Sequence, residues 1–253
     1  MTTIDINCDM GEAFGNYSCA NDDLLFDFIS SANIACGFHA GDYQVMEYTV
    51  KKAHTKGVAI GAHPGLPDLQ GFGRREMKIS QKEAYQITLY QIGALGGFVK
   101  AAGATLHHVK PHGALYNMAA KSSDLSEAIV QAIIDFDPAL LLYALSGSEM
   151  IAAAKRKGLR SVSEVFADRT YQDTGMLTPR TEPNALIHTV EQSLGQVLMM
   201  VTNQQVSSTS GAVVPIRAET ICIHGDNQQA LEASKEIYRS LTQQGIKIQA
   251  PLI

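Results

Sequence analysis

Short runs of β-type residues alternate with longer helical patterns along almost the entire chain, and this alternation constrains the fold more than any other feature. Strand–helix alternation is typical of right-handed βαβ units built around a parallel sheet. Seven candidate strands can be identified: Ile4 to Cys8, Ala32 to Cys36, Val58 to Ala62, Leu106 to Lys110, Leu140 to Ala144, Val162 to Phe166 and Thr220 to His224.

This number of units leaves two arrangements open, a closed barrel and an open doubly wound sheet. Polar motifs follow many different strands instead of clustering at one reversal of strand order. That distribution favours the barrel, where the loops at the strand ends ring a single mouth. The chain has 253 residues, a usual length for one α/β barrel, and no composition shift or flexible linker divides it. We therefore predict one α/β barrel domain over residues 1–253.

Capping chemistry and periodicity locate helices between the strands. Ser80 with Glu83, and Ser146 with Glu149, fit the S-x-x-E capping box, in which each side chain satisfies a backbone N–H. After Ser80, apolar residues recur at steps of three and four and predict one buried stripe against the sheet. The stripe consists of Ile87, Tyr90, Ala94, Phe98 and Ala101.

Composition excludes several classes of function. The net charge is −5 and no basic run exceeds residues 155–157, so a nucleic-acid partner is not expected. The longest apolar stretch, around residues 138–145, is far shorter than the ~20 residues of a membrane span. The first residues lack the pattern of a signal peptide, and the four cysteines form no C-x-x-C pair. We expect a reduced, cytoplasmic protein.

Ionisable residues follow the first two predicted strands. Asp9 and Glu12 lie three residues apart, and such carboxylates can serve as an acid/base pair or as hard ligands for a metal. The alternative is a turn in which Asp9 caps backbone N–H groups. His39 stands between two glycines, where little core is available to satisfy a buried imidazole. Asp42 is well placed to cap the helix that follows.

The third strand is followed by a loop rich in glycine and proline that carries His63, Arg74 and Arg75. Arginine recognises carboxylate or phosphate with two parallel hydrogen bonds. These arginines therefore indicate an anion site, with a solvated surface loop as the alternative.

The fourth strand ends in a dense set of basic side chains. Alternation places His108 and Lys110 on one face of the strand and His107 on the other, so at least one of these histidines is structural. Lys110 and His112 lie at the strand end, where a barrel keeps its catalytic groups.

Histidines in fact follow four strands, each beside a glycine or proline turn, and this repetition indicates a site. They are His39, His63, His112 and His224. Further polar residues lie in the sixth predicted strand or follow it: Glu164, Asp168, Arg169 and Arg180.

Several common motifs are absent from the sequence. It contains no phosphate loop, no G-x-G-x-x-G after a strand, no G-x-S-x-G elbow, no H-E-x-x-H and no thiolate metal site. Nucleotide chemistry therefore requires a site without a known motif, or a partner.

Taken together, these blocks resemble the LamB/YcsF family over the whole chain. The resemblance rests on seven blocks in the same order: residues 5–12, 31–42, 61–65, 71–75, 109–117, 167–169 and 221–226. It implies an irregular seven-stranded barrel similar to glycoside hydrolase and polysaccharide deacetylase barrels. It also implies ATP-dependent opening of 5-oxo-L-proline to L-glutamate, with ATP as co-substrate and with two partner subunits, PxpB and PxpC.

That chemistry gives the ionisable residues two kinds of task. Proton transfer and water activation are the tasks expected of a catalytic set: Asp9, Glu12, His39, His63, Lys110, His112 and His224. Binding of substrate or phosphate suits a second set: Asn7, Arg74, Arg75, Glu164, Asp168, Arg169 and Arg180. We assign no metal ligand from the sequence, although a divalent metal at the mouth stays open.

Two other classes of protein are considered. One is a metal-dependent amidase or deacetylase with Asp9, His39 and His63 as ligands, against which stands the lack of a close H-x-x-x-H pair. The other is a protein that only binds a small molecule or carbohydrate. Such a binder would seldom need so many ionisable groups of both signs at one mouth.

Overall fold

The computed structural model describes residues 2–15, 17, 21–224 and 228–253. Cys19, and Gly225 with Asp226 after the last predicted strand, lie outside the described residues. The ten strands are Thr3–Met10 (β1), Ser31–Ala35 (β2), Ala59–His63 (β3), Leu106–Val109 (β4), Leu141–Leu145 (β5), Ser161–Phe166 (β6), Gln205–Ser207 (β7), Val213–Pro215 (β8), Thr220–Ile223 (β9) and Lys247–Ile248 (β10). The eight helices are Asp22–Leu25 (α1), Tyr43–Lys56 (α2), Gln81–Ala101 (α3), Gly113–Ala119 (α4), Ser123–Phe136 (α5), Glu149–Lys157 (α6), Val190–Asn203 (α7) and Gln228–Gln243 (α8). Both numbers refer to the described residues.

Seven parallel strands close into a barrel with helices between them, which confirms the predicted fold class. The order around the barrel is β1-β2-β3-β4-β5-β6-β9, and β9 pairs with β1 to close the ring. Every predicted strand is present, and its ends lie within two residues of the prediction. The three strands that the sequence analysis missed are two or three residues long. None of the helices in the described ranges has the length and apolar composition needed to cross a bilayer.

Alternation along β1 separates an apolar outer face from a polar interior. Ile4 and Ile6 belong to the apolar core that covers the barrel, whereas Asp5 and Asn7 are buried polar residues inside it. The usual interior of such a barrel consists of layers of branched apolar side chains. This chain instead fills much of its barrel with hydrogen-bonded polar groups.

We call these groups the barrel column. Thr220 donates to Asp5 (2.6 Å) and accepts from Asn7 (2.8 Å). The side-chain amide of Asn33 donates to Asn7 (2.7 Å), and the oxygen of the same amide, Oδ1, lies 2.8 Å from His108 Nε2. The column consists of Asp5, Asn7, Asn33, His107, His108 and Thr220, and it continues to the Pro251 carbonyl oxygen, 2.8 Å from His107 Nε2.

One of the two predicted capping boxes is confirmed and the other is wrong. Ser80 and Glu83 form both reciprocal hydrogen bonds at the start of α3. Helix α6 begins later than predicted, with Ser148 at its N-cap. The backbone N–H of Ser146 donates to the Glu164 carbonyl oxygen, and its hydroxyl accepts from the Arg217 N–H, so Ser146 still belongs to the end of the strand and cannot cap the helix.

The buried stripe of α3 also differs from the prediction, since Tyr90 is 65% exposed and Ala101 is exposed. The buried face includes two polar residues. Thr88 donates to the Ala84 carbonyl within the helix, while Gln91 exchanges hydrogen bonds with both backbone groups of Gly65. A search for apolar residues at helical spacing cannot find these two residues, because both are polar. The buried positions are Ala84, Thr88, Gln91, Ile92, Leu95 and Val99.

Asp42 caps α2 as predicted. Its carboxylate accepts from the backbone N–H groups of Gln44 and Val45, both at 2.9 Å, and its second oxygen accepts from Gly15 at 3.0 Å. These backbone hydrogen bonds lower the pKa of Asp42, with the bond from Val45 contributing most.

Replacing Asp42 by alanine should lower the free energy of unfolding by about 0.5–2 kcal/mol, because the cap donors lose their acceptor. Asp42→Ser keeps an acceptor oxygen and should recover most of the loss. Urea unfolding followed by circular dichroism measures both variants. Equal stability of the alanine and wild-type chains would contradict the capping role.

Candidate active site

The C-terminal ends of the barrel strands bring most of the predicted residues together. β1 positions Asp9, β3 ends at His63, and Lys110 follows β4 directly. The small cavity at this mouth has side chains from several strands and loops in its wall. Those with polar groups are Asp9, His63, Arg74, Lys110, His112, Tyr116, Asn117, Arg169, Arg180 and His224.

Lys110 is the centre of the polar contacts beneath the mouth. Its Nζ lies 2.9 Å from Asp9 Oδ1 and 2.9 Å from Glu164 Oε1, and it also donates to Asn7 and Cys222. The side chain is only 3% exposed. Burial would lower the pKa of Lys110, but the charges of Asp9 and Glu164 outweigh it and hold the pKa well above its usual range. Lys110 is therefore an ammonium that holds two carboxylates.

Asn7 and Glu164 lie below this ammonium and are fully buried. Both were expected to bind substrate or phosphate. In the structure Asn7 belongs to the barrel column, and Glu164 pairs with Lys110 and accepts from Tyr116 at 2.7 Å. Neither residue lines the mouth cavity. Their direct contacts instead fix the position of Lys110.

His224 and Asp168 form a second pair at the mouth. His224 Nδ1 lies 2.8 Å from Asp168 Oδ2, while Nε2 points towards Asp9 (3.8 Å) and Cys222 (3.9 Å). Burial opposes the charged imidazolium, but the charge of Asp168 and its hydrogen bond to the ring raise the pKa of His224 well above its usual range. The carboxylate orients the ring and the other ring nitrogen faces the cavity, as expected for a proton donor.

This pair predicts how stability changes with pH. Burial would raise the pKa of Asp168, but His224 lowers it. The contribution of Asp168 to the free energy of unfolding is therefore lost as the pH falls through its pKa in the folded chain. The pKa of His224 is raised in the folded chain. Its contribution to the free energy of unfolding is therefore complete below the pKa of an unfolded histidine, about 6.5, and is lost as the pH rises through the pKa in the folded chain. The pair thus stabilises most between about pH 4 and 6.5.

We expect Asp168→Asn to lower the free energy of unfolding most near pH 5–6, with a difference from wild type that shrinks at higher pH. Urea unfolding between about pH 5 and 9 measures this difference. A difference that is constant across this range would contradict the assignment.

A second group of side chains, Glu12 with His39, His63 and His112, lies next to Asp9. We call it the Glu12–histidine cluster. The rings of His39 and His112 stack 3.7 Å apart, and His63 Nε2 lies 2.9 Å from His112 Nδ1. Burial, followed by the charges of neighbouring histidines, lowers the pKa of His39 and of His112 well below the usual value. One oxygen or nitrogen of each member lies within 4.8 Å of the others, a spacing at which they could hold a metal ion.

The loop after β3 positions this cluster through an unusual backbone. Phe72 has φ 53°, a left-handed conformation that is rare for a bulky residue. Its carbonyl oxygen accepts from His112 Nε2 at 2.9 Å, and its ring packs edge-on against His39 and His112. A side chain at Gly73 would collide with His39, since a Cβ there would lie 2.7 Å from the His39 Cβ. The loop therefore requires glycine beside the imidazoles.

The predicted arginines separate into two groups. Arg74, Arg169 and Arg180 line the mouth cavity and also a groove of about 400 Å³ that adjoins it, which we call the mouth groove. This volume lies in the range of about 300–1,000 Å³ for small-molecule sites. Burial and the charge of Arg180 lower the pKa of Arg169 to about 10, so the cationic cluster favours an anion. Arg75 pairs with Asp68 and is not part of the cavity wall.

A larger cavity, about 710 Å³, lies at the other end of the barrel. Its ionisable lining residues are Asp27, His54, Lys56, His107 and Tyr238. Of the predicted site residues in the described chain, none lines this cavity, so chemistry points to the mouth in spite of its smaller volume.

Sequence reasoning did not assign Asn33, Tyr116 and Cys222 to the site. Asn33 Nδ2 donates to Asp9 (2.9 Å), Tyr116 donates to Glu164, and Cys222 Sγ lies 3.0 Å from Lys110 Nζ. The alternation of side chains along β9 could have indicated Cys222, because residues 222 and 224 lie on the same face of the strand.

Comparison with known proteins identifies relatives of the whole chain. The LamB/YcsF family matches residues 4–252. The A subunit of 5-oxoprolinase from Tolumonas auensis is 56% identical over 250 residues, covering 99% of this chain and all of that protein. Among solved structures, the lactam utilization protein of Thermus thermophilus is 43% identical with a TM-score of 0.93, over 99% of this chain and all of the other.

A more distant structure shares only the fold. The catalytic domain of a peptidoglycan N-acetylglucosamine deacetylase from Eubacterium rectale has a TM-score of 0.51 at 11% identity, covering the whole of this chain and 92% of the other. The barrel thus has the architecture of deacetylase barrels, as expected. The family match extends from residue 4 to residue 252, and a relative covered over its full length is 56% identical to this chain. The chain therefore belongs to the LamB/YcsF family.

Proposed function

We propose that this chain acts as the A subunit of an ATP-dependent 5-oxoprolinase, which converts 5-oxo-L-proline to L-glutamate as ATP becomes ADP and phosphate. The observation that carries this proposal is end-to-end identity of 56% to a protein named as that subunit. The proposal includes PxpB and PxpC as partner subunits and a single domain over residues 1–253. It also includes a cytoplasmic location, typical of proteins with free thiols such as Cys8, Cys36 and Cys222.

The reaction needs activation because a lactam carbonyl is a poor electrophile. Transfer of the γ-phosphoryl group of ATP to the lactam oxygen releases ADP and makes C5 reactive. Water then adds at C5 and the C5–N bond breaks, with a proton delivered to the leaving nitrogen. The resulting acyl phosphate is hydrolysed by a second water to glutamate and phosphate. Every intermediate carries anionic groups, and one step requires a proton donor.

The mouth supplies both requirements. Arg74, Arg169 and Arg180 line the cavity and the mouth groove, and bind the substrate carboxylate and the phosphoryl group. His224, oriented by Asp168 and with a raised pKa, protonates the leaving nitrogen. Removal of the contact from one arginine to an anion would weaken binding by about 1.5–3 kcal/mol.

Lys110 and Asp9 have a positioning task in this proposal. Asp9 lies between the Lys110 ammonium and His63, with 2.9 Å from Oδ1 to Nζ and 3.1 Å from Oδ2 to His63 Nε2. Burial would raise the pKa of Asp9, but the neighbouring His63 and the Lys110 ammonium hold it well below the usual range. The carboxylate is therefore ionised and accepts a proton only from a reacting water or from a histidine.

The test is to combine the purified chain with its two partner subunits, ATP and 5-oxoproline, and to measure glutamate and ADP together. We expect equal amounts of both products from the complete mixture and no glutamate from this chain alone, since the sequence contains no known phosphate loop. Glutamate production by the isolated chain would contradict the division of labour. Absence of both products from the complete mixture would contradict the proposed activity.

The Glu12–histidine cluster favours a second candidate function, a metal-dependent amidase on the same barrel. Such an enzyme would release its product without ATP. Hydrolysis of N-acetylated sugars or simple amides in the absence of ATP and partner subunits would favour this candidate over the first.

A further inference from the structure

Two imidazoles of the Glu12–histidine cluster direct nitrogen lone pairs at one another. His63 Nδ1 lies 2.6 Å from the Lys110 carbonyl oxygen, and His112 Nε2 lies 2.9 Å from the Phe72 carbonyl oxygen. A carbonyl oxygen only accepts, so both of these nitrogens carry the proton. In the neutral rings the other nitrogens, His63 Nε2 and His112 Nδ1, are then unprotonated. They lie 2.9 Å apart.

Carboxylate oxygens converge on the same point. Glu12 Oε1 lies 3.5 Å from His112 Nδ1 and 3.1 Å from His39 Nε2, and Asp9 Oδ2 lies 3.1 Å from His63 Nε2. Ionised carboxylates only accept as well. The cluster therefore gathers several electron pairs at one point of the mouth.

A proton between the two facing nitrogens satisfies one contact, whereas a metal ion can accept an electron pair from each of the four cluster members. Zinc bonds of about 2.0–2.1 Å at tetrahedral angles place ligand atoms about 3.3 Å apart. The four candidate ligand atoms all lie within 4.8 Å of one another. The separations can therefore accommodate a cation with small adjustments of side chains.

The surroundings of the cluster also match a metal site. Ligating histidines usually donate their second N–H to a carbonyl or carboxylate, which fixes the tautomer and the direction of the ring. His63 and His112 each make this hydrogen bond to a backbone carbonyl. His39 Nδ1 is buried and has no hydrogen-bond partner among the described residues, so its ring is held by packing and by the contact with Glu12.

We propose that Glu12, His39, His63 and His112 bind one divalent first-row transition metal ion, with Zn²⁺ as the best match. Imidazole nitrogen and one carboxylate oxygen suit zinc, whereas Mg²⁺ and Ca²⁺ prefer sites made of oxygen alone. A metal bound there would act as a Lewis acid beside the mouth, since His63 and His112 line the cavity. This inference rests on these four residues and not on the proposed oxoprolinase activity.

The test uses the full-length chain after removal of metal by a chelator. Titration with Zn²⁺ in a calorimeter should show one equivalent bound. The Co²⁺-loaded chain should show d–d absorption bands in the visible range. Loss of an outer hydrogen-bond partner alone costs metal sites about 10–100-fold in affinity, so loss of a ligand should cost no less. Glu12→Gln and His112→Ala should each weaken binding by at least that factor.

The control is His54→Ala, which removes an exposed histidine far from the cluster and should leave binding unchanged. Circular dichroism establishes that each variant is folded, and Glu12→Gln is the informative one if His112→Ala unfolds. The inference is overturned if the parent chain binds no Zn²⁺ or if Glu12→Gln binds as tightly as the parent. The titration contains no oxoproline, ATP or other protein, so its outcome is independent of the glutamate assay.

Discussion

Lys110→Met should lower the free energy of unfolding by about 3–5 kcal/mol, the cost of removing one partner from a buried ion pair. Methionine has a similar length but no charge. The substitution removes the ammonium that lies 2.9 Å from Asp9 and 2.9 Å from Glu164. These two carboxylates, with side chains 11% and 0% exposed, then stay close together without a neutralising charge. We therefore expect Lys110 to stabilise the barrel, because it is a buried cation that pairs with two carboxylates.

Urea unfolding at neutral pH, with midpoint and slope fitted together, measures this loss. The matched control is Lys51→Met, which removes an exposed pair with Glu47 on α2 and should change stability by less than about 1 kcal/mol. Adding Glu164→Gln to Lys110→Met should recover part of the loss, since one of the two uncompensated carboxylates is then neutral. A Lys110→Met chain as stable as the control variant would contradict the account of the barrel interior.

His224→Gln should reduce kcat of the reconstituted oxoprolinase by about 10²–10⁴-fold, the usual contribution of a positioned acid or base. Glutamine can still accept or donate a hydrogen bond near Asp168 but cannot deliver a proton at neutral pH. KM for 5-oxoproline should change little, because the arginines that bind the substrate anions are untouched.

Steady-state glutamate formation over a range of oxoproline concentrations separates kcat from KM. His54→Gln, at an exposed position on α2, is the matched control and should retain the wild-type kcat. Wild-type kcat in the His224→Gln complex would remove His224 from the proposed proton transfer. A rise in KM alone would assign the residue to substrate binding.

The sequence was sufficient to predict the barrel because its signals are local. Strand–helix alternation, a capping box at Ser80 and polar residues after many of the strands can each be recognised within a few positions of the sequence. Contacts across the barrel were not predictable, since they depend on the register between strands that are distant in the chain. Asn33 faces Asp9 only because β1 and β2 pair with those two residues opposite each other.

The arginines illustrate the same boundary between local and non-local information. Arg74 and Arg75 are neighbours with the same chemistry, and both were expected to bind an anion. The left-handed backbone of residues 72 and 73 turns the chain so that Arg74 joins the cavity wall and Arg75 reaches back to Asp68. No residue pattern specifies that difference, because it follows from the loop conformation.

The barrel column has a consequence for how this interior can change during evolution. Its amides have fixed orientations: Asn33 donates to Asn7 and accepts from His108, while Asn7 donates to Thr220. An apolar substitution at any one position would leave a buried donor or acceptor without its partner. Descendants of this sequence are therefore expected to replace such residues in compensating pairs, and substitutions at Asn7, Asn33 and Thr220 should covary.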